Sequence, residues 1–204
     1  MKKVLLAAFV VMMAPVIVLV LLLGGATGSA DAACGTAIGS AELQQCASGL
    51  DGGDGPLDPN FTPVVLPLGT SEGVRAAILY AESQMGKPYC WAGDGGPCSE
   101  SGQSFASAFD CSGLVMRAWE AGGVSLPHQS QAQYLDSYPI SEAMLQPGDL
   151  VFFTTNGQPS GIDHVGLYVG WVNGEQTFIQ APHFGAVVGY ESFNDWHPDF
   201  FGRV

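Results

Sequence analysis

Positive charge is scarce in this sequence, which has 6 Lys and Arg residues against 19 Asp and Glu residues in a chain of 204. Proteins that bind nucleic acid need clustered basic side chains to neutralise phosphates, and no such cluster occurs here. The composition therefore disfavours nucleic acid as a partner. We attribute the excess of acidic residues to solubility outside the cell.

The sequence also lacks the short-spaced ligand motifs of zinc sites, since it contains neither a CxxC nor an HExxH motif. A zinc site would have to be assembled from Cys111, His128, His164 and His183, whose spacing does not favour one. We therefore expect no metal and no other cofactor. Activity that persists in excess chelator would exclude the zinc alternative.

Cysteine is infrequent, with five residues in the chain. Cys34 and Cys46 are 12 positions apart, Cys90 and Cys98 are 8 apart, and Cys111 is left over. Two local disulfides and one free thiol form the simplest partition in an oxidising compartment. The first four cysteines could also pair in two other ways.

A long apolar run occurs only at the N-terminus. Lys2 and Lys3 precede Val4 to Leu23, which is 20 residues without a charge. A secretory signal has an apolar core of about 7–15 residues and a membrane span needs about 20, so residues 1–33 are predicted to be a signal peptide or a signal-anchor. Both alternatives place the rest of the chain outside, secreted or anchored on the outer face of the cytoplasmic membrane. The chain would contact the membrane only through this segment, if it is not cleaved.

Two parts follow the leader. Residues 34–69 are rich in Gly, Pro and Asp without a sustained apolar period, which predicts a flexible linker or stalk. Residues 70–204 are predicted to be the catalytic domain. It starts with an amphipathic helix from Val74 to Met85, with Ser71 as N-cap. The Gly/Ser-rich segment 93–107 is predicted to be a loop that leads to a second helix at Cys111.

The second half of the domain has a period of two. Asp149–Phe153 is predicted to be an apolar strand. In a second strand, Val165, Leu167 and Val169 alternate with His164, Gly166 and Tyr168, which separates a core face from an active face. Asn173-Gly174 is a strong hairpin signal. Helices followed by an antiparallel sheet predict an α+β domain.

Cys111 and His164 are the residues that predict chemistry. A thiol at a helix N-terminus is expected to have its pKa lowered by the helix dipole and by a neighbouring imidazole. The sequence Phe109-Asp-Cys-Ser-Gly places Cys111 at such a terminus, and Asp163-His-Val-Gly places His164 at the start of a strand. Together they predict a nucleophile and its general base.

Five blocks occur in one order and carry a family resemblance: Lys87-Pro-Tyr-Cys-Trp-Ala-Gly93, Phe109-Asp-Cys-Ser-Gly-Leu114, Leu126-Pro-His-Gln-Ser130 with Gln133, Gln146-Pro-Gly-Asp-Leu-Val-Phe-Phe153 and His164-Val-Gly-Leu-Tyr-Val-Gly170. Over residues 74–188 the chain resembles the NlpC-type cell-wall cysteine peptidases. The resemblance implies a papain-like fold, with the nucleophile helix packed on an antiparallel sheet. It also implies cleavage of peptidoglycan stem peptides, commonly after γ-linked D-glutamate.

When the roles of the family's residues are carried over by matching position, the resemblance implies Cys111 as the nucleophile, His164 as the base and Gln180 as the residue that orients the imidazole. The hairpin register offers a rival. An unbroken two-residue turn at Asn173-Gly174 would set His164 opposite His183 and turn Gln180 to the other face of the sheet. Gln180 can share the face of His164 only if the connection has an odd length or a bulge.

Three further residues are implied by the resemblance to assist catalysis. Tyr89 would donate its hydroxyl to the oxyanion, together with the backbone N–H of Cys111. Asp110 and Ser112 would help to hold the substrate, with Asp110 as an exposed carboxylate that could meet a substrate amine. Asp110 as a helix N-cap is an alternative that does not exclude this role.

The chain departs from the family pattern at three places. His128 stands where arginine is frequent, Ala92 stands where glycine is frequent, and segment 93–108 is longer than usual. Two other functions stay open: an amidase or acyltransferase on the same fold, and a non-catalytic wall-binding or secretion-apparatus module. An unpaired cysteine outside the cell argues against the binding module.

Overall fold

The computed structural model describes residues 64–204. The predicted leader, most of the predicted stalk and the Cys34–Cys46 pairing lie outside the described residues. Within residues 64–204 we find no helix with the length and apolar character needed to cross a membrane.

The described chain contains three helices, eight strands and two short 3-10 turns. The helices are α1 (Glu72–Ser83), α2 (Cys111–Ala121) and α3 (Ser130–Asp136), and the strands are β1 (Cys98–Glu100), β2 (Gln103–Phe105), β3 (Tyr138–Ile140), β4 (Leu150–Thr154), β5 (Ile162–Val172), β6 (Glu175–Gln180), β7 (Gly189–Ser192) and β8 (Phe200–Arg203). The 3-10 turns are Glu142–Met144 and Pro159–Gly161. The predicted α+β class is confirmed.

Helix α1 forms as its sequence predicts. Ser71 is the N-cap, and its hydroxyl accepts the backbone N–H of Val74. Ala77, Ile78 and Ala81 are buried on one face, at the spacing of an amphipathic helix. This face packs α1 against α2, so α1 supports the helix that carries Cys111.

Helix α2 begins at Cys111, because Asp110 is in an extended conformation and caps the helix. The Asp110 carboxylate accepts the N–H of Gly113 at 2.6 Å, which satisfies a donor that has no partner inside the helix. The apolar face of α2 is fully buried at Leu114, Val115 and Ala118. The chain thus places Cys111 at the junction of a capped helix and the core.

The main sheet has six antiparallel strands in the order β3-β8-β4-β5-β6-β7. Its two faces cover two apolar clusters. The larger cluster lies against the helices and includes Val165, Leu167 and Val169 of β5. The smaller one includes Tyr168 of β5 together with Phe178. The predicted alternation along β5 therefore separates two cores, and only the end near His164 reaches the cleft.

A bulge decides which residue of β6 faces His164. Asn173 and Gly174 both have positive φ, at 52° and 87°, and pair Val172 with Glu175 as a two-residue turn requires. The register then shifts between Tyr168 and Gly170. One extra residue in β5 shifts the pairing of β5 with β6 by one position beyond the bulge, so that Gln180 lies on the same face of the sheet as His164. An unbroken register would set His164 opposite His183, and this expectation is wrong.

The sequence predicted a loop at segment 93–107. The structure differs, because β1 and β2 form a short antiparallel hairpin within this segment. Ser101 and Gly102 make its turn with positive φ. Cys90 and Cys98 are joined by a disulfide, which ties this hairpin to Cys90, whose N–H donates to the carbonyl of Phe109, two residues before the nucleophile. Among the described residues Cys111 is the free cysteine.

The segment before α1 also packs on the domain. Val64 and Leu66, which the sequence assigned to the linker, contact the main core. The Val64 N–H donates to the carboxylate of Glu82 at 2.8 Å. Burial raises the pKa of the Glu82 carboxyl, and the hydrogen bonds from Tyr190 and Val64 oppose this rise.

Candidate active site

A cleft of about 560 Å³ opens at the N-terminus of α2 and the start of β5. Six of the seven catalytic and substrate-binding candidates from the sequence line it: Tyr89, Asp110, Cys111, Ser112, His164 and His183. Gln180 does not line the cleft and is almost completely buried. The tertiary structure thus brings together side chains from four separate parts of the sequence.

The imidazole of His164 is held by Gln180. Nε2 of His164 lies 2.5 Å from Oε1 of Gln180, and this amide oxygen can only accept, so Nε2 carries the proton. Nδ1 is then the basic nitrogen of the ring. The bulge in β5 makes this contact possible, because it turns Gln180 to the side of the sheet that His164 occupies.

The surroundings of His164 are apolar. Its ring lies 5.3 Å from the ring of Phe153 and 5.6 Å from that of Trp196, measured between centroids. Burial lowers the pKa of His164, while the hydrogen bond to Gln180 and the charge of Asp163 oppose this fall. A neutral imidazole is therefore favoured at neutral pH.

The electrostatics of Cys111 differ from the expectation of a lowered pKa. Burial and the adjacent charge of Asp110 raise the pKa of the Cys111 thiol to about 12, although backbone N–H groups of Val165, Ser112 and Cys111 itself oppose the rise. The predicted lowering is wrong because the helix N-terminus is buried, and desolvation disfavours the thiolate more than the N–H groups stabilise it. Cys111 and His164 line the same cleft, and the directions of their pKa shifts favour a neutral thiol and a neutral imidazole at neutral pH.

Asp110 is a buried structural centre and not an exposed carboxylate. It is 8% exposed and accepts four hydrogen bonds. The donors are the N–H groups of Gly113 at 2.6 Å and Ala92 at 2.9 Å, the hydroxyl of Ser112 at 3.0 Å and Nε2 of His128 at 3.0 Å. Three of these donors share Oδ1 and only the N–H of Ala92 uses Oδ2, so Asp110 is mainly engaged in holding the helix and the adjoining loop, while Oδ2 keeps one acceptor site.

Glycine is required at position 113 by a close approach of the chain. A Cβ at this position would collide with the carbonyl oxygen of Gly93 and lie 2.8 Å from Nε2 of His128. The loop around Gly93 therefore packs directly on the first turn of α2. The Asp-Cys-Ser-Gly motif combines the cap, the nucleophile and the small residue that admits this loop.

Tyr89 lies beside the nucleophile. Its backbone N–H donates to the carbonyl of Ala186 at 2.9 Å, and its side chain lines the cleft. Burial raises the pKa of Tyr89 to about 12, and the charges of Cys111, Asp110 and Glu100 add to the rise. The hydroxyl therefore keeps its proton at neutral pH and can donate a hydrogen bond.

His183 lines the cleft without contacting the imidazole of His164 through a hydrogen bond. Its Nδ1 donates to the carbonyl oxygen of Phe184 at 3.0 Å instead. Within the part of the chain that the structure describes, no three His, Cys, Asp or Glu side chains are grouped to hold a metal ion. The four candidate zinc ligands thus do not form such a group.

The sequence did not single out Trp196, Phe153 or Trp91. The first two enclose His164, and Trp91 stands at the rim of the cleft with 73% of its surface exposed. Phe153 could have been found, since it pairs directly with His164 between β4 and β5. Trp196 lies in the irregular segment before β8, where no sequence pattern signals its position.

Three comparisons place the chain among known proteins. Residues 86–202, more than half of the chain, match the model of the NlpC/P60 family. The "Probable endopeptidase p60" of Listeria innocua is 42% identical over 105 residues, which cover 52% of this chain and 19% of that protein. The chain therefore spans about a fifth of the length of this relative.

Solved structures share the fold. The peptidoglycan hydrolase RipB of Mycobacterium tuberculosis superposes with a TM-score of 0.53 at 34% identity, covering 64% of each chain. RipD of the same organism, described as a non-catalytic NlpC/p60 domain protein adapted to peptidoglycan binding, gives a TM-score of 0.52 at 29% identity, covering 66% of this chain and 98% of RipD. These structures confirm the predicted papain-like architecture. With the matched family model, they establish that the chain belongs to the NlpC/P60 family.

Proposed function

We propose that this protein is a peptidoglycan hydrolase, a cysteine endopeptidase that cleaves stem peptides with Cys111 as nucleophile and His164 as base. The observation that carries the proposal is a free cysteine, a histidine held by an amide oxygen and a protonated tyrosine around one cleft. Membership of the NlpC/P60 family and the similarity to RipB support peptidoglycan as the substrate.

In the proposed acylation step, Sγ of Cys111 attacks the scissile carbonyl carbon while Nδ1 of His164 takes the thiol proton. The carbonyl oxygen becomes an oxyanion, which the N–H of Cys111 and the hydroxyl of Tyr89 stabilise. The imidazolium then protonates the leaving amine, the C–N bond breaks and a thioester remains. A thiol that starts neutral suits this order, because the proton leaves only as the S–C bond forms.

In the proposed deacylation step, His164 removes a proton from water and the resulting hydroxide attacks the thioester. The C–S bond breaks, the acid product leaves and Sγ recovers its proton from the imidazolium. Gln180 acts as a positioning residue, since it keeps the proton on Nε2 and the lone pair on Nδ1 throughout.

The resemblance of the sequence blocks supports cleavage after γ-linked D-glutamate, with Ser112 near the substrate. The substrate class supports action at the cell wall, as a protein that is secreted or anchored on the outer face of the cytoplasmic membrane. Neither step calls for a metal ion or another cofactor, so turnover should persist in excess chelator.

Mass spectrometry of purified peptidoglycan after digestion tests the proposal. The full-length protein should release fragments cut at one stem-peptide bond, and Cys111→Ala should release none. Fragments cut between the glycan and the stem would indicate an amidase, and fragments joined to an added amine would indicate an acyltransferase. Normal digestion by Cys111→Ala would refute the cysteine mechanism.

A non-catalytic wall-binding role is the second candidate, because the chain covers 98% of the non-catalytic RipD domain in the comparison. Co-sedimentation with insoluble peptidoglycan separates the two. Binding by the wild type without release of any fragment would favour the binding module. The free Cys111 and the Gln180-held His164 support the enzyme.

A further inference from the structure

We propose that Trp91 binds sugar, with its indole stacked on a ring of the glycan strand that carries the stem peptide. This inference rests on the proposed function and extends it to the part of the substrate beyond the scissile bond. Trp91 lines the cleft and is 73% exposed. A tryptophan buries about 150–250 Å² when it is covered, so this indole offers a large apolar surface at the mouth of the site.

The backbone around Trp91 is held rigidly. Its N–H donates to Oε2 of Glu100 at 2.7 Å, and the N–H of Gly93 donates to the carbonyl of Cys90 at 2.9 Å. The Cys90–Cys98 disulfide closes the same loop covalently. A side chain on a backbone held in this way loses less entropy when a ligand covers it than one on a mobile loop, which favours a binding role.

The loop of Trp91 is connected to the nucleophile through Asp110. Ala92 has a φ of 59°, a left-handed conformation that an alanine adopts at a cost, and its N–H donates to Asp110. Asp110 in turn caps the helix that starts at Cys111. The hydrogen bond from Ala92 to Asp110 thus ties the strained backbone next to Trp91 to the start of the nucleophile helix.

The surroundings of Asp110 and Trp91 bear on which end of the substrate lies here. A free stem peptide ends in an ammonium group, and a stem in the wall has that nitrogen acylated by the sugar's lactyl group. Three donors crowd Oδ1 of the largely buried Asp110 and one occupies Oδ2, which leaves a single acceptor site, whereas the exposed indole of Trp91 directly follows Cys90 on the adjoining loop. The indole can cover a sugar next to the acylated stem nitrogen, so we place the glycan-linked end of the substrate on this side of the cleft.

Charge argues for a neutral sugar over the anionic polymers of a cell wall. The chain has a net charge of −13, and the carboxylate of Glu100 contacts the backbone of Trp91 itself. A polyanion would be repelled at this rim. The CH face of an N-acetylated sugar can cover the indole while its hydroxyls stay hydrated.

Two measurements on the full-length protein test the inference. The first is the ratio of kcat/KM for a disaccharide-linked stem peptide to that for the free stem peptide. We expect Trp91→Ala to lower this ratio about tenfold, as truncation of a tryptophan at a binding site commonly does. Trp91→Phe should recover most of it, because a smaller aromatic face remains. Trp171→Ala is the matched control, since Trp171 is 69% exposed but does not line the cleft.

The second measurement is binding of N-acetylglucosamine oligosaccharides to Cys111→Ala protein, which cannot depend on hydrolysis. Trp91→Ala in that background should weaken binding about tenfold, and Trp171→Ala should not weaken it. If Trp91→Ala leaves the ratio of the two kcat/KM values unchanged, whether or not both values fall, the inference is overturned. Failure of the wild type to cut either peptide would refute the proposed function instead, and the oligosaccharide measurement would then decide the role of Trp91.

Discussion

Replacing Gln180 by methionine tests how much the orientation of His164 contributes to turnover. Methionine keeps the approximate volume of the side chain and removes the oxygen that lies 2.5 Å from Nε2. The side-chain Nε2 of Gln180 has no hydrogen-bond partner, so the substitution leaves no other group unpaired. The change is thus confined to one acceptor.

The expected loss follows from the burial of this hydrogen bond. Gln180 is 2% exposed and His164 is 9% exposed, so water cannot easily replace the lost acceptor. A buried donor left without a partner costs about 1–3 kcal/mol. The imidazole would recover that free energy by moving its proton to Nδ1 or by rotating, and both changes remove the base. At 1.36 kcal/mol per factor of ten, we expect kcat/KM to fall about 5- to 150-fold.

The assay is hydrolysis of a purified muropeptide, followed by chromatography, with Gln180→His and His183→Ala as comparisons. Gln180→His should keep more activity than Gln180→Met, because an imidazole nitrogen can accept the same N–H. His183→Ala should change kcat/KM by no more than about twofold, because His183 bonds to the carbonyl of Phe184 and not to the imidazole of His164. A near-normal Gln180→Met together with an inactive His183→Ala would refute the role assigned to Gln180.

The remaining predictions concern protonation and the catalytic pair. Activity should fall at acid pH through the pKa of His164, which burial places below 6.5, because only the neutral imidazole can take the thiol proton; a midpoint above 6.5 would contradict this. Trp196→Ala should admit water and move that midpoint toward 6.5, whereas a purely structural Trp196 would leave it in place. Since the pKa of Cys111 is raised to about 12, no thiolate absorbance should appear at pH 7, and its detection would indicate an ion pair. Cys111→Ala and His164→Ala should each abolish hydrolysis, and the double variant should be no worse, because the two groups act as a unit.

Part of this protein could be predicted from local sequence. The cap, nucleophile and glycine of Asp110 to Gly113 are adjacent, and helix capping is a local interaction, so the start of α2 at Cys111 follows from the sequence. The period of two around His164 likewise predicts β5, because side chains alternate along any strand. These local patterns and the family resemblance are enough to predict Cys111 as the nucleophile and His164 as its base.

Other features depend on contacts between distant segments. The shift between Tyr168 and Gly170 decides that Gln180 shares a face with His164, and a single extra residue in a strand leaves little trace in the sequence. The pKa of Cys111 is raised because the whole domain buries the start of α2, against the local effect of the helix. Trp196 reaches His164 across 32 positions of the chain. Sequence determined which groups could react, and tertiary packing decided their register, their solvation and therefore their protonation.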